Sequence, residues 1–195
     1  MTEFLHHTTS RRHLLGSGAR TLTGAGLVAL IGAGAGSAAL RIDADPEQDV
    51  ALLNAAIRLE NEGIAAYTIA AGSGLLTPEV TEIGILFRGH HRQHREELAR
   101  AVEMLGGQPV EPLADADYAE SLGVAALSDQ ADVLRLALRL ERGAANAYLG
   151  LIPSLSTAEQ HQLAARMAGD EAFHAAILGH ALGEPIPAQG MMFGA

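Results

Sequence analysis

Glu171-Ala172-Phe173-His174 sets a carboxylate and an imidazole three residues apart. His91-Arg92-Gln93-His94 sets two imidazoles at the same spacing, inside the stretch GHHRQHREEL that carries three of the chain's nine histidines. On a helix, groups at i and i+3 lie about 60° apart around the axis and about 4.5 Å apart along it, so both side chains of each pair can converge on one centre. Two lone carboxylates belong beside them. Arg58-Leu59-Glu60 followed by Ala66-Tyr67 recurs as Arg139-Leu140-Glu141 followed by Ala147-Tyr148, with the same offset of 81 residues at every position. Carboxylate and imidazole together are ligand chemistry for iron, manganese or zinc.

Helices must position these groups. Four amphipathic segments read from the sequence, roughly 47–73, 78–106, 129–152 and 157–182. Their ends carry the usual signals: Thr77-Pro78 and Ser156-Thr157 at starts, Gly72-Ser73-Gly74, Gly106-Gly107-Gln108-Pro109 and Gly183-Glu184-Pro185 at stops. No segment alternates with period two, so the expected class is all-α. Short links join the first two segments and the last two. Residues 107–128 form a long link with room for a short helix near Asp115–Leu122. Two antiparallel hairpins joined by a long crossover is a known four-helix bundle topology.

A bundle seam advances in alternating steps of four and three. The first segment then buries Leu53, Ile57, Glu60, Ile64, Tyr67 and Ala71, and the third Leu134, Leu138, Glu141, Ala145, Tyr148 and Ile152. The second gives Phe87, His91, His94, Leu98, Ala101 and Leu105; the fourth gives Ala164, Met167, Glu171, His174, Leu178 and Ala181. Glu60, His91, His94, Glu141, Glu171 and His174 therefore occupy core slots at mid-helix. An unpaired buried ion costs several kcal/mol. Two arrangements offset that cost. One is a cation held among the six groups. The other is a metal-free polar network in which Tyr67 and Tyr148 donate to carboxylates across the bundle. His90 and Asp170 stand one step off the seam, as flanking groups to the ligand positions. Glu97 is a weak additional candidate one turn beyond His94. His161, His180, Arg58 and Arg139 fall off the seam.

This pattern resembles the ferritin-like superfamily, including rubrerythrins and bacterioferritins, over about residues 47–183. Such bundles carry one glutamate on each of two helices and Glu-x-x-His on each of the other two. Glu60 and Glu141 match the single glutamates, and Glu171 with His174 matches one Glu-x-x-His. The second segment departs, with His91 where that pattern has glutamate. The resemblance implies a metal site made by Glu60, His91, His94, Glu141, Glu171 and His174, holding one or two ions of iron or manganese and reacting with peroxide or dioxygen. Three carboxylates rather than four leave two divalent ions with one charge uncompensated. The alternative is a bundle that is metal-free or carries a vestigial site, with a non-catalytic role in envelope stress or in binding another protein. With no cysteine in the chain there is no rubredoxin-type electron-transfer module, nor any thiolate metal site.

The first forty residues read differently. Ser10-Arg11-Arg12-His13-Leu14-Leu15 resembles a twin-arginine export signal; a weakly apolar, glycine-rich stretch follows from Leu22 to Ala35, and Ser37-Ala38-Ala39 is a small-x-small cleavage site. The expected organisation is a signal peptide at 1–39, a bundle at 40–183 and an apolar tail at 184–195, with the mature protein in the periplasm or otherwise exported and not anchored in a membrane. Net charge is −10, all 13 basic residues are arginine and none form a run, which argues against nucleic acid. The expected partners are metal ions, with a homodimer left open.

Overall fold

A computed structural model describes residues 45–194. The expected signal peptide and its cleavage site lie outside the described residues. Among the described residues, five α-helices and two single 3₁₀ turns make up the regular structure, and there are no strands. Helix α1 spans Pro46–Gly72, α2 Pro78–Met104, α3 Asp115–Ser121, α4 Gln130–Leu151 and α5 Ala158–Ala181. The four long helices fall within two residues of the expected bounds, because their caps are local chemistry. The Asp45 carboxylate accepts from Gln48 N at 3.1 Å and the Asp129 carboxylate from Asp132 N at 2.9 Å. Thr157 and Gln160 form a reciprocal capping box, which satisfies two otherwise orphaned N–H groups. At the end of α2, Gly106 takes φ +79°, a conformation that disfavours any side chain, and Gly107 N turns back to Val102 O at 3.0 Å.

Helix α1 packs along α2 and α4 along α5, and the two hairpins close on each other through α1 against α4 and α2 against α5. The crossover is ordered. Asn54 holds it at one end, donating to Gln108 O and accepting from Val110 N. Its short helix α3 and the residue that caps it then lay Tyr118 and Leu122 over Ala65, Ala66 and Leu136, covering the junction of α1 and α4. No helix of the described residues is long and apolar enough to cross a membrane.

Apolar side chains flank the middle of the bundle above and below. One end packs Leu53, Ile57, Leu98, Val102, Tyr148, Leu151, Leu155 and Met167, with four buried alanines, into a solid core. The other end holds a smaller set: Tyr67, Phe87, Leu134, Leu138, Ala175 and Leu178. The expected seam holds through the middle of every helix and drifts at the ends. Val102, fully buried, takes the slot expected for Ala101, while Ile64, Ala71, Leu105 and Ile152 are only half-buried and Ala181 is exposed. A straight helix turns once per 3.6 residues, so a strict seven-residue repeat slips by about 20° per heptad.

Candidate metal centre

Between the two apolar ends the six expected side chains meet. Glu60 comes from α1, His91 and His94 from α2, Glu141 from α4, and Glu171 and His174 from α5; all are buried, none more than 7% exposed. His91 is the hub. Its Nδ1 lies 2.8 Å from Glu60 Oε2 and 3.7 Å from Glu171 Oε1, and its Nε2 lies 3.3 Å from Glu141 Oε1. His94 Nδ1 lies 3.0 Å from Glu171 Oε1, and His174 Nδ1 stands 3.3 Å from both Glu141 Oε2 and Glu171 Oε2.

The tyrosines complete a reciprocal pair. Tyr67 of α1 donates its hydroxyl to Glu141 of α4, and Tyr148 of α4 donates to Glu60 of α1. Each repeat thus orients the other repeat's carboxylate. The flanking residues cross in the same way between α2 and α5. His90 Nδ1 meets His174 Nε2 at 2.9 Å, and Asp170 Oδ2 meets His94 Nε2 at 3.1 Å. Both contacts take the ring nitrogen that points away from the carboxylates, which fixes ring orientation. Phe87 stacks on the His174 ring with centroids 4.0 Å apart. The weak candidate Glu97 is outside the cluster, paired with Arg100 at the surface. His161 bonds the Leu155 carbonyl, and His180, Arg58 and Arg139 are exposed.

One contributor had escaped the sequence reading. Gly63 lies one turn after Glu60, and a Cβ there would stand 3.0 Å from His91 Nδ1 and 3.1 Å from His91 Cε1. The glycine makes room for an imidazole in this slot. A glycine inside a strongly helical segment, which costs about 1 kcal/mol against alanine, was the available signal.

Electrostatics divide the carboxylates. Burial alone raises a carboxyl, yet the charge of His91 and hydrogen bonds from His91 and His94 pull Glu60 down to about 2. Glu141 is likewise held well below the usual carboxylate range, against its burial, by Glu171, His174 and His91. Glu171 goes the other way: burial and its hydrogen bond to Glu141 raise it to about 7. Burial opposes charge on the imidazoles, but the surrounding carboxylates win. His94 rises to about 10 through Glu171 and Glu60, His91 rises well above its ordinary value, and His174 rises as well.

Two overlapping groups of ligand atoms result. Glu60, His91, His94 and Glu171 form one, and His91, Glu141, Glu171 and His174 the other; within each, one ligand atom per residue lies within 4.8 Å of the rest. First-row metal bonds of about 2.1 Å place opposed ligand atoms about 4.2 Å apart, so the donor set fits a metal with small adjustments. Glu171 and His91 are shared. A carboxylate can bridge two ions, whereas a neutral imidazole binds one, so the shared histidine sets this centre apart from a four-carboxylate site.

A four-helix bundle with buried glutamates and histidines contributed by all four long helices defines the class of protein. The ferritin-like domain family model matches residues 48–184, and the chain belongs to that family. Among solved structures it is similar to a conserved hypothetical protein, rv2844, from Mycobacterium tuberculosis, at 26% identity over 73% of this chain and 96% of that one, with a TM-score of 0.63. No functionally curated protein matches it.

Proposed function

We propose that this is an exported ferritin-like protein that holds iron or manganese among Glu60, His91, His94, Glu141, Glu171 and His174 and reacts with peroxide or dioxygen outside the cytoplasm. The carrying observation is the convergence of six buried donors from four helices on one point, in two groups of metal-ligand spacing. Bound iron or manganese would supply the redox chemistry. The protein's own part is to hold Glu60 and Glu141 through Tyr148 and Tyr67, to fix the His174 and His94 rings through His90 and Asp170, and to flank the site with apolar side chains above and below. A cleft of about 450 Å³ between the hairpins is lined by Glu62 and Arg139 and also by Gly63, His91 and Glu141, and a small oxidant would approach from that side. Export rests on the residues Ser10 to Leu15 and Ser37 to Ala39. Replacing Arg11 and Arg12 together with lysine should abolish export through the twin-arginine route, and N-terminal sequencing of exported protein should begin near Leu40.

A second reading has its own observation. Three imidazoles and three carboxylates already bond one another here, and as three imidazolium and three carboxylate ions they cancel in charge. That is what a metal-free network serving a structural or protein-binding role requires. Metal analysis of purified protein, before and after incubation with ferrous or manganous ion, separates the two readings.

A further inference from the structure

The two ends of this bundle are built from related halves but packed unequally. Tyr148 points its end of the bundle at a solid core, where Leu151 and Leu155 are each only 1% exposed. The positions 81 residues earlier, beyond Tyr67, are Ala70 and Gly74. With alanine at position 70 where the other half has Leu151, a cavity of about 350 Å³ lies at the Tyr67 end, between the C-terminal turns of α1 and α5 and the N-terminal turns of α2 and α4. Small-molecule sites commonly run from about 300 to 1,000 Å³. Ala66, Ala70, Gly84 and Ala137 give the space; Leu134 and Ile177 belong to its walls.

Among the described residues, no charged side chain lines this cavity. Its polar groups are already engaged, since the Ser73 hydroxyl donates to Ala70 O at 2.7 Å and the Tyr67 hydroxyl donates to Glu141. Nothing inside can compensate a charge or a polar head group, so what enters must be apolar. The cavity also opens to solvent beside Ile83, which is 42% exposed, so a head group can stay in water while a chain lies inside. The first described residue does not sit nearby. Asp45 N bonds Ser156 Oγ at the solid end, and the 27-residue α1 carries the chain about 40 Å from there to the cavity.

We propose that the hollow end is a binding site for the aliphatic chain of a small amphiphile. Its inner wall is Tyr67 and Phe87, whose rings lie 5.5 Å from His91 and 4.0 Å from His174 between centroids. The tip of a bound chain therefore rests one aromatic ring from the Glu/His centre. The site needs no metal to exist.

The test is calorimetric titration of metal-free, full-length protein with decanoate below its micelle concentration, with acetate as the head-group control. One decanoate should bind per chain with a negative heat-capacity change, the mark of apolar burial, and acetate should give no signal. Ala70→Leu copies the side chain that fills the solid end and should weaken decanoate at least ten-fold, with helix content and melting held. Ala137→Phe fills from α4 and should do the same; if it does not fold, Ala70→Leu carries the test. Absence of saturable binding to wild type, or undiminished binding to a folded Ala70→Leu, overturns the proposal. Because binding is read without metal, a failure here is distinct from a failure of the centre to take iron or manganese.

Discussion

Glu60 and Glu171 are both buried glutamates within reach of the same histidines, yet neutralising them should have opposite consequences. In the metal-free protein the Glu60 carboxyl is drawn from 4.5 to about 2. A shift of that size favours its ionised form by about 3 kcal/mol in the fold. Glu60→Gln forfeits this and leaves His91 Nδ1, 2.8 Å away, short of a carboxylate. Glu171 is raised from 4.5 to about 7, so above that pH its charge costs the fold about 3 kcal/mol. Glu171→Gln removes that cost, in which the bonds of the ionised carboxylate to His94 and His174 are already counted. The pH dependence has matching signs. The contribution of Glu60, with its depressed value, is present above 4.5 and lost as pH falls through about 2. That of Glu171, with its raised value, is present below 4.5 and lost as pH rises through about 7. Urea denaturation of chelator-stripped protein at pH 7.5, followed by far-UV circular dichroism, should show Glu60→Gln destabilised by about 3 kcal/mol and Glu171→Gln at least as stable as wild type, by up to about 3 kcal/mol more. Glu171→Gln should also flatten the decline in stability between pH 5 and 8. Equal losses in the two variants would refute the division of charge within the cluster.

Gly63→Ala should keep or raise helix stability, yet push the His91 ring aside and weaken manganous ion binding at least ten-fold, read by titration beside the melting curve. Tyr148→Phe should cost about 1–3 kcal/mol in the metal-free protein, because Glu60 loses a buried donor, as denaturation would record. Metal binding should release protons at pH 8 and strengthen as pH rises through about 10, since His94 is held at about 10 and His91 well above its ordinary value. Calorimetry in buffers of different ionisation enthalpy counts those protons, and proton-neutral binding at pH 8 would contradict the charged state of the imidazoles.

The helices, their caps and the six buried polar positions were legible because each depends on local chemistry or on period. Thr77-Pro78 starts a helix wherever it lands, and the seam step from Phe87 to His91 to His94 to Leu98 separates His91 from His90 without reference to any other helix. The tyrosine bonds were legible through the repeat: equal positions in two halves facing each other suggest exchange. Three features were not. The close approach of Gly63 to His91 depends on how near α1 and α2 run. The imidazole values depend on three carboxylates arriving from other helices, which moves proton competition well above the ordinary 6.5. The hollow end depends on what Ala70 fails to touch, and a missing contact leaves no mark in a periodic pattern. The tail divides in the same way. Phe193 packs on the bundle and Gly194 N bonds Asn146 Oδ1 at 2.8 Å, while Ile186 and Met191 stay exposed.

The central claim is that these six side chains hold a metal, and elemental analysis of purified protein reconstituted with ferrous or manganous ion, then desalted, tests it most directly. At least one ion per chain should remain on wild type, His91→Ala and His174→Ala should each lose most of it, and His90→Ala, which removes the partner of the outer nitrogen of His174, should lose the least. Wild-type protein that emerges without metal, or His91→Ala and His174→Ala variants that retain as much as wild type, would contradict the account.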